Sequence, residues 1–244
     1  MKLITWNVAG FRKENSKNAW DYSEFDYGYF TENINKYSPD VICFQESLFI
    51  DSLDQVEHVA KLLNYDFLST KVSPDHTIEG SFLGMGILSK KKIDNFEEVV
   101  LPYPDFPLFF PDGREAKKFD KYAQIASVGG FKIVNLQLQP IHYWGFNYYE
   151  EPGYSYGRNV SGVVNTYLDE KSIVCGDLQI SHLEVPFADI MVRFKDALPN
   201  EFTRIRENGK NTKSDHVLVP KDLKVIGSEI VKTQTDHFMC FAEI

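Results

Sequence analysis

Apolar, β-branched runs punctuate the chain: "KLITWNV" (2–8), "DVICFQE" (40–46), "MGILSK" (85–90), "YAQIASV" (122–128), "FKIVNLQL" (131–138), "SIVCGD" (172–177), "DHVLVP" (215–220) and "HFMCFAEI" (237–244). Several are too continuous for a half-exposed strand and predict strands buried on both faces. Helical spacing alternates with them. Residues 24–37 put Phe30, Ile34 and Tyr37 on one face, ahead of Pro39. Residues 51–63 repeat Leu53, Val56, Ala60 and Leu63, with Ser52 and Gln55 at capping-box spacing. Residues 156–170 predict a third helix, weakened by Gly162.

Strands mixed with helices predict one layered α/β domain over residues 1–244, with helices covering sheet faces. No linker, low-complexity tract or repeat interrupts it. Long loops fall at 102–113 and 141–157, and long loops in compact domains are usually functional or self-packed. At 244 residues and 43% hydrophobic, the chain can bury one sizeable core. No apolar run is long enough to span a membrane. The N-terminal run turns polar at Asn7, too early for a signal peptide, so a cytoplasmic protein is expected. Three cysteines, Cys43, Cys175 and Cys240, each sit in an apolar run, which argues for buried thiols and against a disulfide framework. A net charge of −9 argues against broad nucleic-acid binding through surface charge, while leaving room for a local basic groove or a metal-assisted phosphate site.

The chemistry lies where the buried runs stop. The first ends at Asn7, the second at Glu46 and the sixth at Asp177; the seventh opens at Asp215 and the last at Asp236-His237. A carboxylate at one strand end is ordinarily a solvated loop residue. Five such ends in one domain point to a site built where strand termini converge.

"TWNV", "CFQE", "GMGILSK", "VNLQL", "VCGDLQ", "SDHVLVP" and "TDHF" resemble, in order, the successive motifs of the endonuclease/exonuclease/phosphatase superfamily, from residue 5 to the C-terminus. The resemblance implies a four-layer sandwich of two packed mixed β-sheets flanked by helices. It also implies a metal-dependent phosphodiesterase or phosphomonoesterase using Mg2+, with Mn2+ as an alternative. By position, Glu46 matches the metal-binding glutamate, with Asn7 and Asp236 beside the same cation. His237 matches the general base, Asp215 the carboxylate that orients it, and Asp177 the aspartate that aligns the nucleophile or protonates the leaving oxygen. Adjacent residues on a strand face opposite ways, so Asp236 is expected to face the metal and His237 the water. The same alternation counts against His216 as a rival histidine.

Two positions depart from the family pattern. The usual Asp-x-Asn is here Asp177-Leu178-Gln179, and the histidine of many relatives is Gln137. Gln179 keeps the amide donor on the face of Asp177 but reaches about 1.5 Å further. Gln137 can donate a neutral hydrogen bond, exonuclease III-like relatives use a nearby tyrosine instead, and His142 is a candidate for the missing imidazole if its loop folds back.

Substrate class rests on local features. Arg204, Arg206, Lys210 and Lys213 crowd the loop before Asp215, and aromatic residues fill 141–157, a combination suited to stacked bases. Phe106, Phe109 and Phe110 fit a base or an apolar ligand equally, and most of the loop aromatics are expected to pack inward. A nuclease acting on DNA ahead of RNA, working as a monomer, is the leading expectation. A phosphoesterase for a small or lipid-linked phosphate is the alternative. A degenerate binding protein is the third reading, supported only by Gln137 and Gln179.

Overall fold

The structure is a computed structural model that describes residues 1–14, 22–75, 78–109, 113–116, 119–205 and 211–244. In chain order its elements are β1 (Lys2–Asn7), β2 (Arg12–Glu14), β3 (Tyr22–Phe25), α1 (Tyr27–Tyr37), β4 (Val41–Ile50), β5 (Leu53–Asp54), α2 (Gln55–Leu63), β6 (Asp66–Pro74), β7 (Phe82–Ser89) and β8 (Ile93–Val100). There follow β9 (Tyr122–Val128), β10 (Phe131–Gln137), a 3-10 turn (Ile141–Trp144), α3 (Gly153–Asn165), β11 (Ser172–Asp177), α4 (Ala188–Met191), β12 (Phe194–Asp196), β13 (Asp215–Pro220), β14 (Gly227–Val231) and β15 (Met239–Glu243).

Two mixed sheets face one another. One runs β14-β15-β1-β4-β7-β6, with β5 appended to β4, and the other runs β12-β13-β11-β10-β9-β8. Strand β4 shows why its sequence run is continuous. Val41 and Cys43 pack between the sheets, with Ile133, Ile173, Cys175 and Val217 of the other sheet. Ile42 and Phe44 point the other way, into the layer under α1 and α2 that holds Phe30, Ile34, Val56 and Ala60. The outer face of the second sheet buries Val134, Leu136 and Val174 against Tyr156 and Val160 of α3 and Ile190 of α4. The order of layers is therefore helix, sheet, sheet, helix, the α/β sandwich expected. All three cysteines are free and buried. No helix among the described residues is long and apolar enough to cross a membrane.

A polar ladder crosses between the sheets. Gln45 Nε2 donates to Asn135 Oδ1 at 2.7 Å, and Asn135 Nδ2 donates to Gln124 Oε1 at 2.9 Å. Gln124 Nε2 donates in turn to Thr70 Oγ1 at 2.8 Å. Gln45 and Asn135 belong to the motif runs, but they join sheets rather than face the site. A buried network with its donors satisfied specifies how the sheets dock.

Several boundaries differ from the sequence expectation. The capping box at Ser52 does not form: Leu53–Asp54 pair with Ile50 and Phe49, and Asp54 caps α2 by accepting from Val56 N and Glu57 N. Gln55 instead accepts from Leu48 N and donates to Gly10 O, tying α2 to the loop after β1. Helix α3 starts earlier and ends at Asn165, so residues 166–170 lie outside it. The loop at 141–157 is partly helical. Strand β4 passes through Glu46 instead of ending there, and β15 begins only at Met239.

Candidate active site

Three adjacent strands set side chains in a row. Gln137 closes β10 beside Asp177 in the parallel β10–β11 ladder, and Asp177 lies opposite Asp215 in the antiparallel β11–β13 ladder. Paired residues on neighbouring strands share a face, so the three side chains line up. Gly176, just before Asp177, has φ +137, and a Cβ there would lie 1.9 Å from Leu136 O. Only glycine lets β10 and β11 approach this closely beside the row.

The first sheet supplies the facing groups. Asn7 ends β1, accepting from Ala9 N at 3.3 Å and donating Nδ2 to Asp177 Oδ2 at 3.2 Å. Its turn role and its site role coexist. Glu46 is the extra residue of a bulge: Gln45 pairs with Met85 and Ser47 with Gly84, and Glu46 takes φ +55. A bulge re-aims a side chain, and a non-glycine left-handed residue is strained. Here it brings Glu46 Oε1 to within 2.6 Å of Gln137 Nε2. Gln179 likewise has φ +57, which turns its Nε2 back onto Asp177 Oδ2 at 2.5 Å.

Asp236 lies in a bend before β15, and His237 makes an isolated antiparallel bridge to Arg204 rather than part of a regular strand. The expected opposition of their side chains does not occur, because strand alternation does not carry through the bend. His237 Nε2 lies 3.8 Å from both Asp236 Oδ2 and Asp177 Oδ2. His237 Nδ1 faces Asp215 Oδ2 at 2.9 Å. Trp6 Nε1 donates to His237 O at 3.2 Å, and Thr203 Oγ1 accepts from Asp215 N at 2.9 Å, so both partners are held from behind. Asn7, Glu46, Gln137, Asp177, Gln179, Asp215, Asp236 and His237 thus meet in one cluster.

Other candidates fall elsewhere. His216 is buried with Nδ1 2.7 Å from Asp196 Oδ2 and Nε2 2.7 Å from Ile180 O. His142 lies against Tyr143 with ring centroids 4.4 Å apart. Lys213 pairs with Asp196 at 2.8 Å. Tyr148, Tyr156 and Phe106 are buried, with Trp144 and Phe146 packed on the core, while Tyr143, Tyr149 and Phe109 remain exposed. Arg206, Lys210 and Phe110 lie outside the described residues.

Arg204, read from sequence as a loop base, is buried in the cluster. Nη1 donates to Gln179 Oε1 at 3.1 Å, Nη2 donates to Tyr143 OH at 3.0 Å, and Nε lies 3.5 Å from Asp236 Oδ2. Lys121 was not singled out from sequence. It is also buried, and its Nζ donates to Gln137 Oε1 at 2.9 Å. It immediately precedes the run at 122–128, so a search for cations as well as carboxylates at strand ends would have found it. Glu14 of β2 is a further carboxylate in the field of Asp236 and His237. A three-residue polar strand gives no sequence signal for that.

Burial and charge set the protonation of the cluster. Burial would lower the His237 imidazole, but Asp215, Asp177 and Asp236 outweigh it and push it up to about 9. Burial would raise Asp177, yet His237 and Arg204 hold it below the usual carboxylate range, helped by the Asn7 and Gln137 amides. For Asp215 burial prevails over His237, and its carboxyl is raised. The two shifts describe one proton shared in the Asp215–His237 pair. Burial lowers Lys121, which Glu46 and Asp177 oppose. Glu14 rises to about 7, chiefly through burial and then Asp236.

The donor set fits a hard divalent cation. Glu46, Asp177 and Asp236 offer carboxylate oxygens and Asn7 an amide oxygen, the ligand chemistry such ions take. Among the described residues Asp177 Oδ1 is buried and has no hydrogen-bond partner, so one carboxylate oxygen of the cluster is left unsatisfied. Asp177, Asp215 and His237 each place a ligand atom within 4.8 Å of the others.

The sequence profile of the Endonuclease/Exonuclease/phosphatase family matches residues 4–237. The chain belongs to this family. Members of the family are hydrolases acting on phosphoester bonds and generally use a divalent metal. A DNA-(apurinic or apyrimidinic site) endonuclease of Dictyostelium discoideum is 26% identical over 200 residues, covering 81% of this chain and 46% of that protein. The chain thus matches about half the length of this relative. Among solved structures, the family protein of Beutenbergia cavernae superposes with TM-score 0.69 at 16% identity, over 99% of this chain and 70% of the other. An AP endonuclease from Archaeoglobus fulgidus gives 0.65 at 15% identity, over 100% and 98%. The human Nocturnin catalytic domain, with bound sulfate, gives 0.65 at 15% identity, over 99% and 92%. At these identities the structural matches establish the fold.

Proposed function

We propose that the chain is a Mg2+-dependent phosphodiesterase that cleaves nucleic acid, DNA ahead of RNA, by in-line attack of water on phosphorus. The observation that carries this reading is the His237 ring, held by Asp215 at Nδ1 with Nε2 turned toward Asp177. Asp215, as acceptor, fixes the proton on Nδ1 and leaves Nε2 to take one from water once the ring is neutral. Asp177 aligns that water or returns a proton to the leaving oxygen. Gln137 and Gln179 present N–H donors beside it. Glu46, Asp236 and Asn7 would hold the cation, which when bound neutralises charge building on the phosphate. The same cation would oppose the charge on His237, favouring the neutral base.

DNA is favoured by the Dictyostelium relative. The small-phosphate alternative keeps one specific support. Of the four loop bases, Arg204 and Lys213 both turn inward onto site or core partners, which leaves the net charge of −9 poorly offset at the surface. Cleavage of end-labelled single- and double-stranded DNA and RNA, with one abasic duplex, separates the readings. The expected result is Mg2+-dependent cutting that EDTA and His237→Ala both remove, weakening steeply with salt. Turnover of small phosphoesters alone, with little salt dependence, would overturn the nucleic-acid assignment.

A further inference from the structure

The two departures from the family pattern, Gln137 and Gln179, flank Asp177 and share one arrangement. Lys121 Nζ donates to Gln137 Oε1 at 2.9 Å; Arg204 Nη1 donates to Gln179 Oε1 at 3.1 Å. Each Nε2 points the other way, to Asp177 Oδ2 at 3.4 Å from Gln137 and 2.5 Å from Gln179. Gln137 Nε2 also donates to Glu46 Oε1 at 2.6 Å.

An ammonium or guanidinium has no acceptor, and an ionised carboxylate has no donor. Each amide therefore fits only one way round, oxygen to the cation and NH2 to the carboxylates. The two orientations of an amide are otherwise nearly equal in shape, and the cation removes the choice. A cation on Oε1 also draws electron density from the N–H groups and strengthens them as donors. The left-handed backbone at Gln179 folds back the side chain's extra length, so the longer amide still reaches Asp177. Both cations are buried, at 9% and 8% exposure, and neither is placed to bind a partner outside the site.

We propose that Lys121 and Arg204 are positioning residues that act through Gln137 and Gln179, locking two polarised NH2 groups onto the site carboxylates Asp177 and Glu46. The role in catalysis rests on the phosphodiesterase reading; the lock itself does not. On this account the two glutamines are a built alternative to the histidine and asparagine of relatives, not a trace of lost activity.

Two double-mutant squares test it, Lys121→Met with Gln137→Ala and Arg204→Met with Gln179→Ala, with bis(p-nitrophenyl) phosphate and Mg2+ as the activity probe. A misdirected donor costs on the order of 10- to 100-fold in kcat with KM little changed. Each cation substitution should show that loss alone and less than about twofold more in its glutamine-to-alanine background. The second readout is the 15N-edited spectrum of the side-chain amides in metal-free protein. The Gln137 and Gln179 NH2 pairs, assigned from their alanine variants, should shift specifically with Lys121→Met and Arg204→Met respectively. Full loss of kcat in both backgrounds, or amide signals indifferent to their cations, would overturn the proposal. If the wild type hydrolyses no phosphodiester, the functional reading fails while the spectrum still decides the lock. Should Lys121→Met not fold, Lys121→Gln and the Arg204 square carry the test.

Discussion

Asp215 and His216 are neighbours in sequence, yet each belongs to a different buried histidine–aspartate pair. His237 meets Asp215 through Nδ1 at 2.9 Å, and His216 meets Asp196 through Nδ1 at 2.7 Å. Both rings are almost wholly buried. The other nitrogen separates them. His216 Nε2 donates to the Ile180 carbonyl at 2.7 Å, so both ring nitrogens are committed and the ring is a brace between β13, β12 and the segment after β11. His237 Nε2 has no hydrogen bond among the described residues and faces two carboxylates at 3.8 Å. A histidine–aspartate pair is therefore not a sign of chemistry. A ring nitrogen left uncommitted, pointing into a polar cluster, is.

The largest expected contrast lies in the aspartates. Asp215→Asn replaces a carboxylate that only accepts by an amide that can donate to His237 Nδ1 and favour the wrong tautomer, and kcat should fall about 1,000-fold or more. Asp196→Asn should leave kcat within about threefold and lower the melting temperature instead. A kinetic loss of similar size for both would erase the distinction.

The next effect is on stability. His216→Ala takes one partner from Asp196, which keeps Lys213, and leaves the buried Ile180 carbonyl without its ring N–H. The expected cost is about 2–4 kcal/mol, or roughly 5–15 °C in melting temperature for a chain of this size, measured by calorimetry. Its specific activity below the transition should stay near that of the wild type.

The smallest effect is in pH dependence. Burial would raise the Asp196 carboxyl, but His216 and Lys213 hold it below its ordinary value. Its contribution to stability is therefore full above about pH 4 and lost as pH falls through the depressed folded value. His237 is displaced the other way, to about 9. Its contribution is full below the unfolded value of about 6.5 and fades as pH rises toward 9. Denaturant midpoints of metal-free protein across pH 3–10 should show both limbs. Asp196→Asn should flatten the acid limb alone, and His237→Ala should remove the alkaline one while also weakening the acid limb through Asp177.

The sequence exposed the interior strands and hid the edges. All eight apolar runs became central strands: β1, β4, β7, β9, β10, β11, β13 and β15. The longer unforeseen strands, β6, β8 and β14, are edges, as is the short β12. Edge strands pair on one side only, and β8 exposes most of its residues, so no buried run marks them. The strand-end rule found the carboxylates because each closes or opens a buried run. It missed Lys121 because only acids and histidine were sought, and it placed Arg204 among the loop bases before Asp215 without foreseeing its burial. The contacts that bury those cations join strands and loops distant in sequence, which local pattern does not encode. The bend that ends at Asp236 was also illegible. An apolar run following a polar pair looks like one strand, whether or not the pair is on it.

The most direct test of the account compares two alanine substitutions under one condition. Mg2+-dependent cleavage of an end-labelled abasic duplex is followed at saturating enzyme for the wild type, His237→Ala and His216→Ala, at a temperature where all three are folded. The account predicts that His237→Ala loses at least about 1,000-fold in rate while His216→Ala stays within about threefold. Equal losses in the two variants, or a His237→Ala protein that cuts like the wild type, would contradict it.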